Sequence, residues 1–570
     1  MITRSRHHLL FLVLIVSSTL LPIHVLASDT VETVKVTKVD SPSVSRTWSD
    51  VTLLYDGQFH DPDEVDEEIE NIHSQVPELV DVEVIGQSYL GRNITCLRIT
   101  NEMNPVQKAK TLVVAHHHGR EQITVELALR FILRLVNGYG VDDTITEYVD
   151  TQEIFVIPTL NPDALDVVVN DGNHWLRKNL HPYDNDGDGL VSEDDVEDVD
   201  GDGHISQFYV YEKATPSDNP SGLEYDYVYY EGIDNDGDGQ TNEDEVGLVD
   251  LNRNYADFWS LGGPGSDYEN VTTQVYHGTA PFSEPETQAF RDFALQHRFA
   301  MAYSLHSGIN ATFFVQDTSS IWVEPSLYYS MMEDYREVLP EDYNYYLGYS
   351  SGGVDREAAL PGGWGEWMYY SRGCTVPITF EVYTNASADT PEAYVQIVNN
   401  STHVVWEWKN IFGYFNPVEA YINALWTELF PAFDYLLATT PRMDITITGS
   451  SGGVSAGSEV VLATLMESKS RRLGSKEPIY VLGPDNSTMA SSMIIGPEQT
   501  LTPQITITLP ADLNDTGLTI RFGNNYTGYV TFHLSVGFES TVPLDPLLVI
   551  GIGAGAVVVL VAVVYWKKNT

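Results

Sequence analysis

The sequence predicts an α/β protein with a mixed, largely parallel central sheet and helices on both faces, followed by a C-terminal β-sandwich and a single transmembrane helix. Three observations carry that prediction. Short apolar runs of strand length alternate with stretches of helical period across residues 55–441. Period-two stretches divided by Gly, Ser, Pro and Asn fill residues 442–540, and residues 547–566 carry no charge. With 570 residues, 43% of them hydrophobic, the chain can bury two or three domains.

Taken in order, Arg4 and Arg6 precede an apolar run at 9–21 that is too short to span comfortably. Val25-Leu26-Ala27 then offers a small-residue cleavage site, so residues 1–27 read as a signal peptide. Residues 28–54, rich in Ser, Thr and Val, read as a short leader or edge strand. A helix follows at 64–75, then strands at 82–85 and 94–99 linked by Gly86 and the Gly91-Arg92 turn. A strand at 111–115 leads to a helix at 121–136, which Asn137-Gly138 stops. Residues 154–157, 301–305 and 376–380 are further apolar strands. The stretches Asp444-Ile-Thr-Ile-Thr, Gln504-Ile-Thr-Ile-Thr-Leu and Tyr529-Val-Thr-Phe-His-Leu alternate as half-buried strands do. They read as a spacer or adhesive module. The uncharged run at 547–566 ends in Lys567-Lys568, which places the 567–570 tail in the cytoplasm and the rest of the chain outside the cell. Sequons at Asn93, Asn270, Asn310, Asn385, Asn399, Asn400, Asn486, Asn514 and Asn525 fit an exported ectodomain.

Composition narrows the function. Lys plus Arg number 30 against 81 Asp plus Glu, a net charge of −51, and such a surface repels nucleic-acid phosphates. Two cysteines, Cys96 and Cys374, exclude both a disulfide scaffold and a zinc site built mainly of thiolates, and they read as two separate buried thiols.

In an open α/β sheet, ligands bind beyond the carboxyl ends of the strands. The 111–115 strand runs into His116-His117-His118-Gly119-Arg120-Glu121, the 301–305 strand into His306, and the 376–380 strand into Glu381. A histidine with a Glu three residues on, a distant second histidine and a further Glu can give two nitrogens and one oxygen to Zn²⁺ and leave one carboxylate free. That is an open catalytic metal site. Singly, the histidines could form a polar turn, His306 a core contact and Glu381 half of an ion pair. The agreement of three strand ends favours the metal.

At this point the chain resembles the zinc carboxypeptidase family of metallopeptidases. The resemblance rests on His118-Gly119-Arg120-Glu121, Asn161-Pro162-Asp163-Ala164 (alanine in place of the usual glycine) and Trp175-Leu176-Arg177-Lys178 (one residue inserted). It continues through Asp250-Leu251-Asn252-Arg253-Asn254, Phe282-Ser283-Glu284-Pro285-Glu286-Thr287, Leu305-His306-Ser307 and Thr379-Phe380-Glu381-Val382, in order. It implies His118, Glu121 and His306 as zinc ligands and Glu381 as the general base. It implies Arg177 as the oxyanion holder, Asn252 and Arg253 as a clasp for the substrate's terminal carboxylate, and Arg120 as a contact upstream of the cleaved bond. The family's substrate-capping tyrosine precedes a Ser-Gly-Gly stretch, which offers Tyr349 before Ser351-Gly352-Gly353. A second Gly-Gly, Gly362-Gly363, has the better spacing to Glu381 but brings no such tyrosine; Gly365 and Glu366 lie nearby, and no residue is assigned to the specificity pocket.

Between Arg177 and Asn252 the chain carries an insertion. Asp234-x-Asp236-x-Asp238-Gly239-x-x-Asn242-x-x-Glu245 satisfies a calcium-loop pattern in full, and Asp184-x-Asp186-x-Asp188-Gly189 ends at Asp195 instead of Glu. Asp198-x-Asp200-x-Asp202-Gly203 lacks the final carboxylate. With no room for flanking helices, these read as tandem structural calcium turns binding two or three Ca²⁺. Residues 184–245 hold 21 acids against one base, Lys213, so much of the charge excess is concentrated here.

The expected function is an extracellular, membrane-anchored zinc metallocarboxypeptidase acting on peptide or protein C-termini. The alternatives are a calcium-dependent surface-binding protein on the same scaffold, or a zinc amidase acting on cell-wall peptide or glutamyl tails.

Overall fold

The computed structural model describes residues 30–540 apart from 40–42, 105–106, 185–188, 193, 236, 238, 243–245, 263–264, 316–324, 348–359, 453–456, 474, 476 and 511–517. The signal-peptide and membrane-span readings (1–27, 547–566) therefore lie outside the described residues, as do Tyr349, Asp186, Asp188, Asp236, Asp238 and Glu245. Among the described residues no helix is long and apolar enough to cross a membrane.

After strand β1 (Thr30–Lys38), helix α1 (Pro62–Gln75) begins with a reciprocal capping box between Asp61 and Glu64 and a proline in its first turn. Then come β2 (Val80–Gln87), β3 (Asn93–Ile99), β4 (Ala109–Ala115), α2 (Ile123–Gly138), α3 (Asp143–Thr151), β5 (Gln152–Ile157) and α4 (Pro162–Asp166). The insertion supplies β6 (Gln207–Glu212) and β7 (Tyr227–Tyr230). The core resumes with α5 (Pro285–Leu295), β8 (Met301–His306), β9 (Ile309–Phe314), α6 (Pro325–Val338), β10 (Asn344–Leu347), α7 (Trp364–Tyr370) and β11 (Val376–Tyr383). It closes with β12 (Val395–Asn399), β13 (His403–Trp408), α8 (Ile411–Phe415) and α9 (Ile422–Thr439).

Eight strands form the central sheet in the order β10-β9-β11-β8-β4-β5-β3-β2. The middle strands β11, β8, β4 and β5 run parallel, and antiparallel pairs join them to β9 and β3. Period-two alternation divides each strand between two cores. In β4, Val113 and Ala115 join the cluster under α1, α2, α6 and α9, whereas Leu112 and Val114 join the one under α5 and α7. Both faces are thus covered, as parallel strands require.

The insertion is built into the domain. Strands β6 and β7 extend a four-stranded sheet with β13 and β12, and its stems meet through Asn179 N–H to Val249 O (3.0 Å) and Leu248 N–H to Asn179 O (3.1 Å). Two buried carboxylates knit its turns. Asp194 accepts from the Asn242 N–H (3.0 Å), and Glu231 accepts from the N–H groups of Val199 (2.9 Å), Asp200 (3.2 Å) and Ser206 (2.9 Å).

Beyond residue 442 lie two antiparallel sheets. One holds β14 (Met443–Gly452), β15 (Glu459–Ser468), β18 (Thr500–Leu501) and β19 (Gln504–Thr508). The other runs β1-β21-β20-β16-β17, with β16 (Tyr480–Leu482), β17 (Thr488–Ser491), β20 (Leu518–Asn524) and β21 (Gly528–Ser540). Their inward residues, among them Ile445, Leu462, Ile507, Ile520 and Phe522, share one apolar cluster. Residues 28–54 are therefore not a free-standing leader. Residues 30–38 pair along their length with β21, and Val44, Val51 and Leu53 pack into the larger α/β core. The C-terminal unit sits at the amino ends of the parallel strands, where Tyr529 N–H reaches Gln107 O (2.9 Å) and Arg298 pairs with Glu477 (2.6 Å). The carboxyl ends, on the opposite side, are left to the site.

Candidate active site

Strand β4 ends at Ala115, and His116, with a positive φ of 60°, turns the chain sharply. Gly119 then lets this turn press on the segment carrying Arg177. A Cβ at Gly119 would meet Leu176 O at 2.9 Å, and the Gly119 and Arg120 N–H groups bond the carbonyls of Arg177 (3.1 Å) and Leu176 (2.8 Å). Register carries the rest: Glu381 on β11 pairs with His306 on β8, so both leave the sheet at one level.

The structure brings His118, Glu121 and His306 together with ligand atoms within 4.8 Å of one another, all buried. His118 Nδ1 lies 2.7 Å from Glu121 Oε1, and His306 Nδ1 lies 3.0 Å from Glu121 Oε2. Burial alone would raise the Glu121 carboxyl, but the two facing imidazoles outweigh it and hold it well below the ordinary range. Two nitrogens and a carboxylate converging in a dry pocket are a donor set that suits Zn²⁺.

Around this triad stand the other expected residues. Glu381, partly buried, has its carboxyl pushed well up by burial and by the Glu121 charge, with Arg177 and Arg253 pulling the other way. The Arg177 guanidinium lies 3.7 Å from Glu121. Asn252 Nδ2 lies 3.3 Å from His306 Nε2, while its Oδ1 accepts the Trp364 N–H at 2.9 Å. The Arg253 Nε is buried without a partner among the described residues. Arg120 stacks on Phe415 (4.5 Å) and donates to Gln274 Oε1 (3.3 Å). A cleft lined by Trp175, Arg177, Asp195, Tyr230 and Gln274 lies between this wall and the insertion.

Sequence reasoning passed over Asp250, although it stands in the motif with Asn252. One of its oxygens lies 3.0 Å from His118 Nε2, and the other accepts two bonds from Arg177, at 3.1 and 2.9 Å. Burial would raise its carboxyl, yet Arg177, Arg253 and His118 hold it well below the usual range. It orients a ligand and an arginine at once. Gln274 was also missed; its carbonyl accepts from Arg177 Nε at 3.1 Å. Of the calcium turns, Asp198, Asp200 and Asp202 converge within 4.8 Å, with Lys409 in contact with Asp202. Among the described residues, Asp184, Asp195 and Asp234 join no such cluster. Asp195 instead accepts from Asn173 Nδ2 at 2.7 Å. Cys96 and Cys374 are buried thiols that form no disulfide with each other.

A family model for zinc carboxypeptidase matches residues 65–432. Among curated relatives, the chain is 33% identical over 150 residues to a zinc carboxypeptidase of Saccharothrix mutabilis subsp. capreolus, covering 25% of this chain and 34% of that one. It is 25% identical over 253 residues to carboxypeptidase A2 of Mus musculus, covering 44% and 45%. It is 30% identical over 125 residues to the inactive metallocarboxypeptidase ECM14 of Saccharomyces cerevisiae, covering 21% and 29%. The chain thus spans between about a quarter and a half of the length of these relatives. Among solved structures, thrombin activatable fibrinolysis inhibitor aligns at a TM-score of 0.43 and 19% identity, over 67% of this chain and 74% of that one.

Proposed function

Because the chain belongs to the zinc carboxypeptidase family, we propose that it hydrolyses the C-terminal peptide bond of peptides or proteins. The observation that carries this reading is the convergence of His118, Glu121 and His306 beside Glu381 and Arg177. His118 and His306 through Nδ1, and Glu121 through its carboxylate, would hold the zinc. When bound, zinc supplies Lewis-acid polarisation of the carbonyl and of the attacking water.

The chain's own groups do the rest. Glu381 takes a proton from the attacking water and passes it to the departing amine, a role that suits a carboxyl whose proton affinity is raised. Arg177, fixed by Asp250, presents positive charge where the carbonyl oxygen becomes anionic. Arg253, with a buried unpartnered Nε, and Asn252 clasp the terminal carboxylate. Arg120 contacts the residue upstream of the bond, and the family resemblance assigns the capping role to Tyr349, which lies outside the described residues. Zinc content and peptide hydrolysis of Glu381→Gln test this: zinc kept with hydrolysis lost supports the assignment, and an active variant refutes it. His118, Glu121, His306 and Glu381 are all retained, which favours an enzyme over a purely binding protein.

The insertion, in the same reading, holds structural calcium. Support comes from the converging Asp198, Asp200 and Asp202 and from the repeated oxygen spacing. The charge-free run at 547–566 and the leader at 1–27 support a single-pass protein with its catalytic part outside the cell, and residues 442–540 a β-sandwich spacer.

A further inference from the structure

Behind the ligand triad runs a line of fully buried polar side chains. His306 Nε2 lies 2.9 Å from Ser304 Oγ, Ser304 Oγ lies 3.1 Å from His117 Nδ1, and His117 Nε2 lies 3.0 Å from the Tyr255 hydroxyl. Ser304 and His306 are two apart on β8 and so share a face. The His117 ring lies nearly parallel to that of His306, with centroids 5.3 Å apart.

With a metal on His306 Nδ1, these contacts take one direction of donation. A histidine whose Nδ1 gives its lone pair to a metal carries its hydrogen on Nε2. His306 Nδ1 is the nitrogen that faces Glu121 and His118, so Nε2 must donate. Asn252 cannot accept that hydrogen, because the Trp364 N–H occupies its Oδ1 and turns Nδ2, a donor, toward His306. Ser304 Oγ is left as the acceptor. Its own hydrogen then goes to His117 Nδ1, and the His117 Nε2–H goes to the Tyr255 oxygen. No group is asked to donate twice, and no buried nitrogen of the line lacks a partner.

We propose that Ser304, His117 and Tyr255 are positioning residues that hold His306 in the orientation and tautomer with Nδ1 open toward Glu121 and His118, and thereby set the affinity for zinc. The inference rests on the zinc reading above. A histidine that merely filled the core would support stability but not metal affinity, and this difference gives the test.

Zinc affinity is measured on the full chain by competition with a chromogenic chelator, alongside the melting temperature of the metal-free protein. Ser304→Ala and His117→Phe should each weaken zinc binding roughly 10- to 100-fold, Tyr255→Phe less so, and Ser304→Thr, which keeps the hydroxyl, should restore it. Should Ser304→Ala or His117→Phe fail to fold, Tyr255→Phe, which keeps the ring, still decides. Wild-type protein that takes up no zinc would refute the underlying metal reading. Wild-type protein that binds zinc while every folded variant binds it equally well would overturn this inference alone.

Discussion

At the scale of single residues, the account turns on carboxylates held at different proton affinities within one pocket. Glu121 is held down by two imidazoles, and Glu381 is pushed up by burial and by Glu121 itself. Glu381→Gln should therefore cost about 10²- to 10⁴-fold in kcat while leaving zinc content unchanged, as read by steady-state kinetics and elemental analysis. Asp250→Asn removes the acceptor shared by His118 and Arg177. It should weaken zinc binding by about 10- to 100-fold and also lower kcat/KM at saturating zinc. The ligands were legible in the sequence because each follows an apolar strand. Asp250 and Ser304 were not, since their roles depend on which neighbour their free atoms meet across more than a hundred residues of chain.

A second residue-scale prediction concerns pH. Burial would lower the pKa of His60, but its bonds to Glu126 (2.8 Å) and Glu68 (3.4 Å) outweigh this and raise it to about 9. Because the folded pKa lies above the ordinary 6.5, the folded state keeps a proton that the unfolded state gives up. The stability this lends, about 3 kcal/mol, is complete below pH ~6.5 and fades as pH rises through about 9. Lys108, pushed down to about 8 by burial, works in the opposite sense at alkaline pH, so the difference between wild type and His60→Gln is the quantity to follow. That difference in melting temperature should be largest near pH 6 and small at pH 10. An equal difference at both would refute the buried ion pair.

At the scale of elements, backbone donors to two buried carboxylates knit the turns of the insertion. Glu231→Ala strips the acceptor from three N–H groups and should cost about 1–3 kcal/mol locally. The loss should appear as faster hydrogen exchange over residues 197–206 with little change in β4 or β8. Calcium should raise the melting temperature, and a calcium-selective chelator should lower it without removing zinc; no response to either would count against the calcium turns. The Asp spacing of these turns was legible. The β6–β13 pairing was not, because a short Tyr/Val run announces a strand without naming its partner across nearly two hundred residues.

At the scale of the whole molecule, two ends of the chain build one unit beneath the catalytic sheet. Strand β1 pairs with β21 although some five hundred residues separate them. Richness in Ser, Thr and Val made 28–54 readable as a short leader or an edge strand, but nothing local assigned the sheet whose edge residues 30–38 complete. The unit is fixed by the buried Asp334 on α6, which takes Arg472 Nε at 2.6 Å and Nη2 at 2.7 Å and also the Tyr435 hydroxyl at 2.7 Å. Arg472→Ala should destabilise the protein by about 1–3 kcal/mol, because it leaves buried carboxylate oxygens short of donors. Denaturant unfolding of the full chain measures this, and an unchanged midpoint would contradict the docking role. The same arrangement puts the active centre, and the cleft beside Arg177, at the opposite end of the sheet from the C-terminal unit.

The central claim is that this cleft removes residues from free peptide C-termini. Mass spectrometry of mixed peptides and their C-terminally amidated twins, incubated with the zinc-loaded protein, tests it most directly. Single residues should be lost from the free acids, the amides should be spared, and Glu381→Gln should trim neither. Equal trimming of both sets, or no trimming of the free acids by zinc-loaded wild type, would contradict it.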